Sequence, residues 1–475
     1  MLEIQALETS ASTDSNGQTA PAFAPRPSRS ELVACGEQLR KKCHRRSHAA
    51  WKPPADRPDP VKLVEEGNRG RIPQLIPIRH GRMIQSPFTY YRGAALAMAV
   101  DLATLPTTGV RVQACGDAHL GNFRCFATPE RRVIFDIHDL DETLPAPWEW
   151  DLKRLAASFV IACRNNGLSE KRAREAVLTC VRTYRERMIE FSEMRALQVW
   201  YYSLDANDLV ESIEDAEIRG RAKKRLAKAK ALTALEYDFP KLADTSSESP
   251  TIRDNPPLIY HWHEIGAEEL DAVVHDAFAR YRMSLPDDRR VLLDRYEFKD
   301  VTAKVVGVGS VGTWCAVGLF MAADDDPIFL QVKEATASVL EPYAGKSLHQ
   351  NHGERVVAGQ RLMQSASDMF LGWTRGPNRR DYYVRQLRDA KITAIIDDWD
   401  CTALRTYGRL CAWALARAHA RSGDAARIAG YLGSNSSFDD AVCEFSVEYA
   451  DQNQRDYRAF IKAVREGRIE VITET

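Results

Sequence analysis

The segment GDAHLGNF, residues 116–123, sets Asp117 and Asn122 five positions apart with Gly121 between them. A carboxylate there can orient or accept a hydroxyl proton, and an amide oxygen can hold a divalent cation against phosphate oxygens, so the pair suits phosphoryl transfer. The same spacing also serves a polar turn in which Asp and Asn cap the backbone. Shortly after it, FDIHDLDE brings Asp136, Asp139, Asp141 and Glu142 to the end of a β-type run. Clustered carboxylates repel and are costly to desolvate, so a bound hard cation is the simplest compensation, with a solvated acidic loop as the alternative.

Stepping outward, the elements that must hold these residues are short. RVQACGDAHLGNF and RRVIFDIHDLDE each run from a β-rich stretch into polar residues, which predicts two strands flanking loops. An apolar helix is expected over 86–103 after a Ser-Pro turn, and helical periodicity over 150–202, with Leu152, Leu155, Ala156, Phe159 and Val160 on one stripe. TSSESPTIRDNPP has loop composition and marks an internal boundary near 240–257. Beyond it come an acidic helix over 264–283, a strand pair around VVGVGSVGTWCAV, the strand FLQVKEA, a helix over 354–365, the strand DYYVRQL and a helix over 404–420. The first thirty residues are rich in Ser, Thr, Ala and Pro and read as a disordered tail. The basic run RKKCHRR, residues 40–46, reads as a solvated helix face.

Composition narrows the function classes. The 65 basic and 66 acidic residues leave a net charge of -1, so no overall field draws the chain to nucleic acid or a membrane. Ten cysteines are scattered with no C-x-x-C pair and no zinc spacing, which fits reduced thiols in a cytoplasmic protein. No apolar run approaches the roughly 18 residues a membrane helix needs, and no signal segment is evident. His119 and His138 flank the acidic loops, but the oxygen-rich set favours magnesium or manganese over a transition metal.

GDAHLGNF, then DLDE, then WDLKRLA resembles the catalytic segment of aminoglycoside and choline-type phosphotransferases of the protein-kinase-like superfamily. There H-G-D-x-H-x-x-N is followed by I-D-F-D-D and a Y-D-L-A helix start. The resemblance implies that Asp117 is the catalytic base, that Asn122 and Asp139 are magnesium ligands, with Asp136 as the alternative to Asp139, and that Asp151 ties down the catalytic loop. Cys115 stands where those families have His. Such a site also needs a glycine-rich hairpin and a strand lysine. Gly307, Gly309, Ser310 and Gly312 supply the first, and Lys333 the second. Backbone N–H groups freed by glycine can approach phosphate oxygens, which an ammonium neutralises. Glu354 is the expected partner of Lys333, with Glu341 and Glu334 as alternatives, and Gln386 and Leu387 would lie nearest an adenine.

The order of these parts is reversed, since Asp117 and Asp139 precede Gly307 and Lys333. The helix LCAWALARAHARSGD resembles the one that normally leads into H-G-D, yet its continuation lies at residue 115. The expectation is therefore an α+β, two-lobed, protein-kinase-like fold that is circularly permuted. Residues 31–240 would begin the helical lobe, 258–390 form an antiparallel phosphate-anchoring lobe, and 391–475 complete the helical lobe. From Tyr91-Arg92-Gly93 through GDAHLGNF, FDIHDLDE, WEWDLKRLAAS, VGVGSVGT, LQVKEA, GQRLMQ, SDMFLGW and YYVRQLRDAK, residues 60–460 resemble the bacterial DUF2252 family. The implied activity is ATP- and Mg-dependent transfer to a hydroxyl of a small molecule or protein. Alternatives are a nucleotide-binding module without transfer and an enzyme transferring another group such as AMP. Neither nucleic acid nor membrane is expected as a partner, and the sequence leaves the oligomeric state open.

Overall fold

The computed structural model describes residues 27–231, 239–245, 249–262, 267–323, 326–387 and 392–473. The tail over 1–26 lies outside them, as do 264–266 of the expected acidic helix and 388–391 after DYYVRQL. Chain order begins with the helix Arg29–Lys42, whose Ser28 cap forms a reciprocal capping box with Glu31. The basic run that follows is not wholly solvated: Arg40 and Arg45 donate to the carbonyls of Tyr431 and Leu432. They thus satisfy the open C-terminal end of the helix Ala425–Leu432.

The helical part is centred on Trp148–Asn165, an 18-residue helix of which 16 residues are buried. Buried on every side, its charged Glu149, Asp151, Lys153 and Arg154 included, it is the central helix of this part. Glu170–Glu193, Cys401–Ser422 and Ser437–Arg465 pack around it, joining Leu155, Phe159, Val177, Leu415 and Phe445 in one core. The single helical run expected over 150–202 is in fact three helices, the last being Ala196–Tyr201. The first ends where Gly167 adopts a left-handed φ of 70° and Leu168 N–H reaches back to the Cys163 carbonyl (2.9 Å). That closure is a glycine C-cap.

The sheet part is antiparallel throughout. Six strands lie in the order Gly372–Arg375, Asp381–Gln386, Pro327–Ala335, Cys315–Met321, Glu297–Lys304 and Ile259–Tyr260. Alternation along Pro327–Ala335 sends Ile328 and Leu330 into a core with Phe320, Tyr281 and Val384, while Gln331 and Lys333 face the other way. Register places Tyr383 and Cys315 directly opposite Lys333 on its two neighbours. A smaller sheet pairs Phe123–Ala127 with Val133–Ile137, and Arg111–Ala114 pairs with Leu144–Pro147. Mixed α+β architecture with antiparallel sheets is thus as expected from sequence. Among the described residues no helix is long and apolar enough to cross a membrane, and all ten cysteines are free.

Candidate active site

One stripe of the central helix positions the loop carrying Asp117. Asp151, in its first turn, accepts the N–H groups of Cys115 (2.6 Å) and Gly116 (2.9 Å). One turn on, Arg154 donates through Nε to Asp117 Oδ1 (2.6 Å), and a turn further Ser158 Oγ accepts the Leu120 N–H (3.0 Å). Positions i, i+3 and i+7 share a helix face, so one element clamps the loop at three points. Gly116 is required in this loop: its φ is 81°, and a Cβ there would lie 2.4 Å from the Glu142 carbonyl oxygen. His419, from Cys401–Ser422, contacts Asp151 (3.2 Å) from behind.

Both Arg154 contacts fall on Asp117 Oδ1, which leaves Oδ2 for the cleft. Burial pushes the Asp117 carboxyl up and Arg154 draws it back down, for a net value of about 6. His119 is buried and held far below the usual imidazole range by desolvation and by Arg92. Its Nδ1 accepts the Gly121 N–H (3.1 Å), so the neutral ring carries its proton on Nε2, 3.8 Å from Asp117 Oδ2.

Asn122 joins this loop to the acidic one. Its Nδ2 donates to the carbonyls of Asp117 (3.1 Å) and Asp139 (2.7 Å), and its Oδ1 accepts the Asp139 N–H (2.8 Å). Asp139 projects into the same cleft with Oδ1 buried and without a hydrogen bond, 3.6 Å from Lys333 Nζ. Lys333 itself is bonded to Asp141 Oδ2 (2.6 Å), although the two are 192 positions apart in sequence. Tyr383, the cross-strand neighbour of Lys333, donates to Asp141 Oδ1 (2.6 Å), and Ser310 Oγ donates to Oδ2 (3.3 Å). Burial and the Asp139 charge push the Asp141 carboxyl up, while Lys333 and Arg385 outweigh desolvation at Asp139 and hold it down. Lys333 is correspondingly held charged: desolvation opposes this, but the two carboxylates prevail.

The expected partner of Lys333 is different. Glu354 sits at the start of the helix His352–Met363, 3.5 Å from His349, Glu341 is near His352, and Glu334 pairs with Arg380. The reach of that helix toward the site comes from Arg355, whose guanidinium donates to the carbonyls of Asp141 and Thr143. Asp136 also stands apart. It is fully buried, with Oδ1 accepting from Arg417 (2.7 Å) and Oδ2 from the Ser365 N–H (2.9 Å) and hydroxyl (3.0 Å).

The glycine turn closes the cleft from the sheet side. Gly307 and Gly312 take left-handed φ values of 70° and 88°, conformations that favour glycine. The turn is fastened by Arg71 to the Val311 carbonyl (2.6 Å) and by the Ile72 N–H to the Gly312 carbonyl (2.7 Å). Gly307, Gly309 and Ser310 line the same space of about 150 Å³ as Asp117, Asn122, Asp139 and Asp141. Gln386 and Leu387 instead border a neighbouring cavity of about 240 Å³, lined also by Phe126, Tyr296 and Met369. Their backbone N–H groups already donate to Asp368 (2.5 Å) and to the Phe329 carbonyl (2.9 Å).

Asp117, Asn122, Asp139, Lys333 and the glycine turn therefore converge, whereas Asp136, Glu354, Gln386 and Leu387 lie elsewhere. The sequence marks Asp141 only as a member of the acidic cluster, and its motifs give no sign of a role for Arg154, Tyr383 or Arg355. Among the described residues no three of His, Cys, Asp and Glu group as a metal cage. Magnesium does not require one: it keeps several waters and is held by one or two protein oxygens together with substrate phosphates. The unbonded Asp139 Oδ1, on a residue whose backbone Asn122 holds, fits that use.

A family model described as "Uncharacterized protein conserved in bacteria (DUF2252)" matches residues 71–463. No curated protein and no solved structure matches the chain.

Proposed function

The chain belongs to the DUF2252 family, and from the cleft we propose an ATP- and Mg-dependent phosphotransferase acting on a hydroxyl, built on a circularly permuted protein-kinase-like fold. The observation that carries this reading is the contact of Lys333 with Asp139 and Asp141, two carboxylates that line one cleft with Asp117. Lys333 and the glycine turn would anchor the nucleotide phosphates, and Asp139 with Asn122 would hold magnesium, whose charge offsets that of the triphosphate. Asp117 Oδ2 would receive the hydroxyl proton while the acceptor oxygen bonds to the γ-phosphorus. The bond to the β,γ-bridging oxygen breaks, and ADP leaves with the electron pair. Most of the acceleration would come from positioning and charge complementarity.

Adjacency of chain segments supports the permuted order. Ser422, at the end of Cys401–Ser422, accepts the Gln113 N–H (3.2 Å) on the strand that enters the Asp117 loop. The helix that resembles the lead-in to H-G-D thus abuts that loop in space although it follows it by 309 positions.

Transfer of labelled γ-phosphate from ATP, with and without candidate acceptors, tests the reading. Asp117→Asn should abolish transfer and leave nucleotide binding intact; undiminished transfer by that variant would remove Asp117 from its role. A second reading, nucleotide binding without transfer, is favoured by Cys115 in the position of the usual His and by the Arg154 charge on Asp117. Binding of ATP with no transfer or hydrolysis by the wild type would select it.

A further inference from the structure

The cleft holds more positive charge than the groups assigned above can use. Arg71 and Arg79 line it but are committed to neutral acceptors, Arg71 to the Gly67 and Val311 carbonyls and Arg79 to Asn68 Oδ1 and the Gly93 carbonyl. Arg92 and Arg124 line it too, and each, like Arg79, has a buried Nε with no hydrogen-bond partner among the described residues. Among the carboxylates whose charges act on Arg92, Asp117 is engaged with Arg154 through Oδ1 and Asp139 lies 3.6 Å from Lys333, with Asp397 as a third. A buried guanidinium nitrogen left without an acceptor costs free energy, more than an ordinary polar group does because it is charged, so the pair calls for an anion.

Placement says which anion. Arg92 lies over the Asp117 loop, since a Cβ on Gly121 would be 3.8 Å from Arg92 Nε. Arg124 opens the strand that leaves Asn122 and borders the same cleft. Both arginines are thus placed by the Asp117 loop and the strand that leaves it, whereas Lys333 and Ser310, to which the nucleotide phosphates are assigned, meet at Asp141 Oδ2. We infer that the acceptor is itself an anion, a hydroxyl compound bearing a carboxylate or phosphate group that Arg92 and Arg124 grip while its hydroxyl faces Asp117. This inference rests on the phosphotransferase reading for the words "acceptor" and "hydroxyl", but the oxyanion site is testable without it.

The probes are inorganic phosphate and, separately, acetate, titrated by calorimetry into full-length protein saturated with a non-hydrolysable ATP analogue and magnesium. At least one of the two should bind at a single site, which tells a tetrahedral from a planar oxyanion. Arg92→Gln and Arg124→Gln should each weaken it by about tenfold or more, as loss of a charge-assisted hydrogen bond implies, with the affinity for the analogue and the melting temperature as controls on folding. Arg92→Lys and Arg124→Lys should recover part of the loss. Absence of oxyanion binding, binding that survives both glutamine variants, or binding lost in Lys333→Met instead would overturn the inference. If the analogue itself does not bind, the phosphotransferase reading fails separately, and the same titration of the nucleotide-free protein still decides whether the two arginines hold an oxyanion.

Discussion

Asp136, on the strand Val133–Ile137, and Asp139, in the loop that leaves it, belong to one acidic segment and meet opposite surroundings. The strand carboxylate is sealed at 0 % exposure, with Arg417, Ser365 and a backbone N–H occupying both oxygens. The loop carboxylate reaches the cleft with one oxygen unbonded and an ammonium 3.6 Å away. What separates them is coordination capacity. A carboxylate whose lone pairs are filled by the protein is a structural pin, and one left short of partners has capacity for a ligand. Spacing along the chain treats the two alike; only the tertiary partners distinguish them.

Breaking the sealed side should have the larger effect on the whole molecule. Asp136→Ala strands the buried Arg417 charge and should lower unfolding free energy by about 3–5 kcal/mol, measured by urea denaturation. Stability unchanged within error would mean that Asp136 is no pin. On the open side, Asp139→Asn keeps the shape and removes the charge that would hold the cation. Stability should move by less than about 1 kcal/mol, while phosphate transfer falls by about 100-fold or more, the scale seen when one electrostatic partner of a transition state is lost. The comparison collapses if the two variants exchange phenotypes.

A finer effect concerns proton affinity. Asp117 must be ionised to accept a proton, and its carboxyl titrates near 6, so kcat/KM should fall as pH drops through that value. The Arg154 charge favours the carboxylate form; its removal therefore raises the Asp117 value, and the acidic limb of the profile in Arg154→Gln should shift upward by about one pH unit. Arg154→Lys should restore most of the shift. A limb that stays in place in Arg154→Gln would confine Arg154 to a packing role.

Much of this arrangement is legible in the sequence. The turn around Gly307–Gly312, the strand bearing Lys333 and the loops bearing Asp117 and Asp139 follow from β-type flanks and glycine placement. Apolar periodicity persists over 150–202 and masks the break at Gly167, whose left-handed φ ends the first helix. The resemblance places the partner of Lys333 on the following helix, whereas Asp141 comes from a loop 192 positions earlier. No local pattern encodes such a pairing; register beside Tyr383 and the clasp of Arg355 on the Asp141 carbonyl create it. Arg154 could have been found, since it lies one helical turn after Asp151 and must face the same loop.

The most direct test is calorimetric titration of ATP into the full-length protein with and without magnesium, repeated on Asp139→Asn and Lys333→Met. Wild-type protein should bind ATP more tightly when magnesium is present, Asp139→Asn should lose that magnesium dependence, and Lys333→Met should bind weakly under both conditions. Magnesium-independent binding that ignores both substitutions, or no binding of ATP at all, would contradict a cleft in which these remote residues grip one nucleotide and its cation.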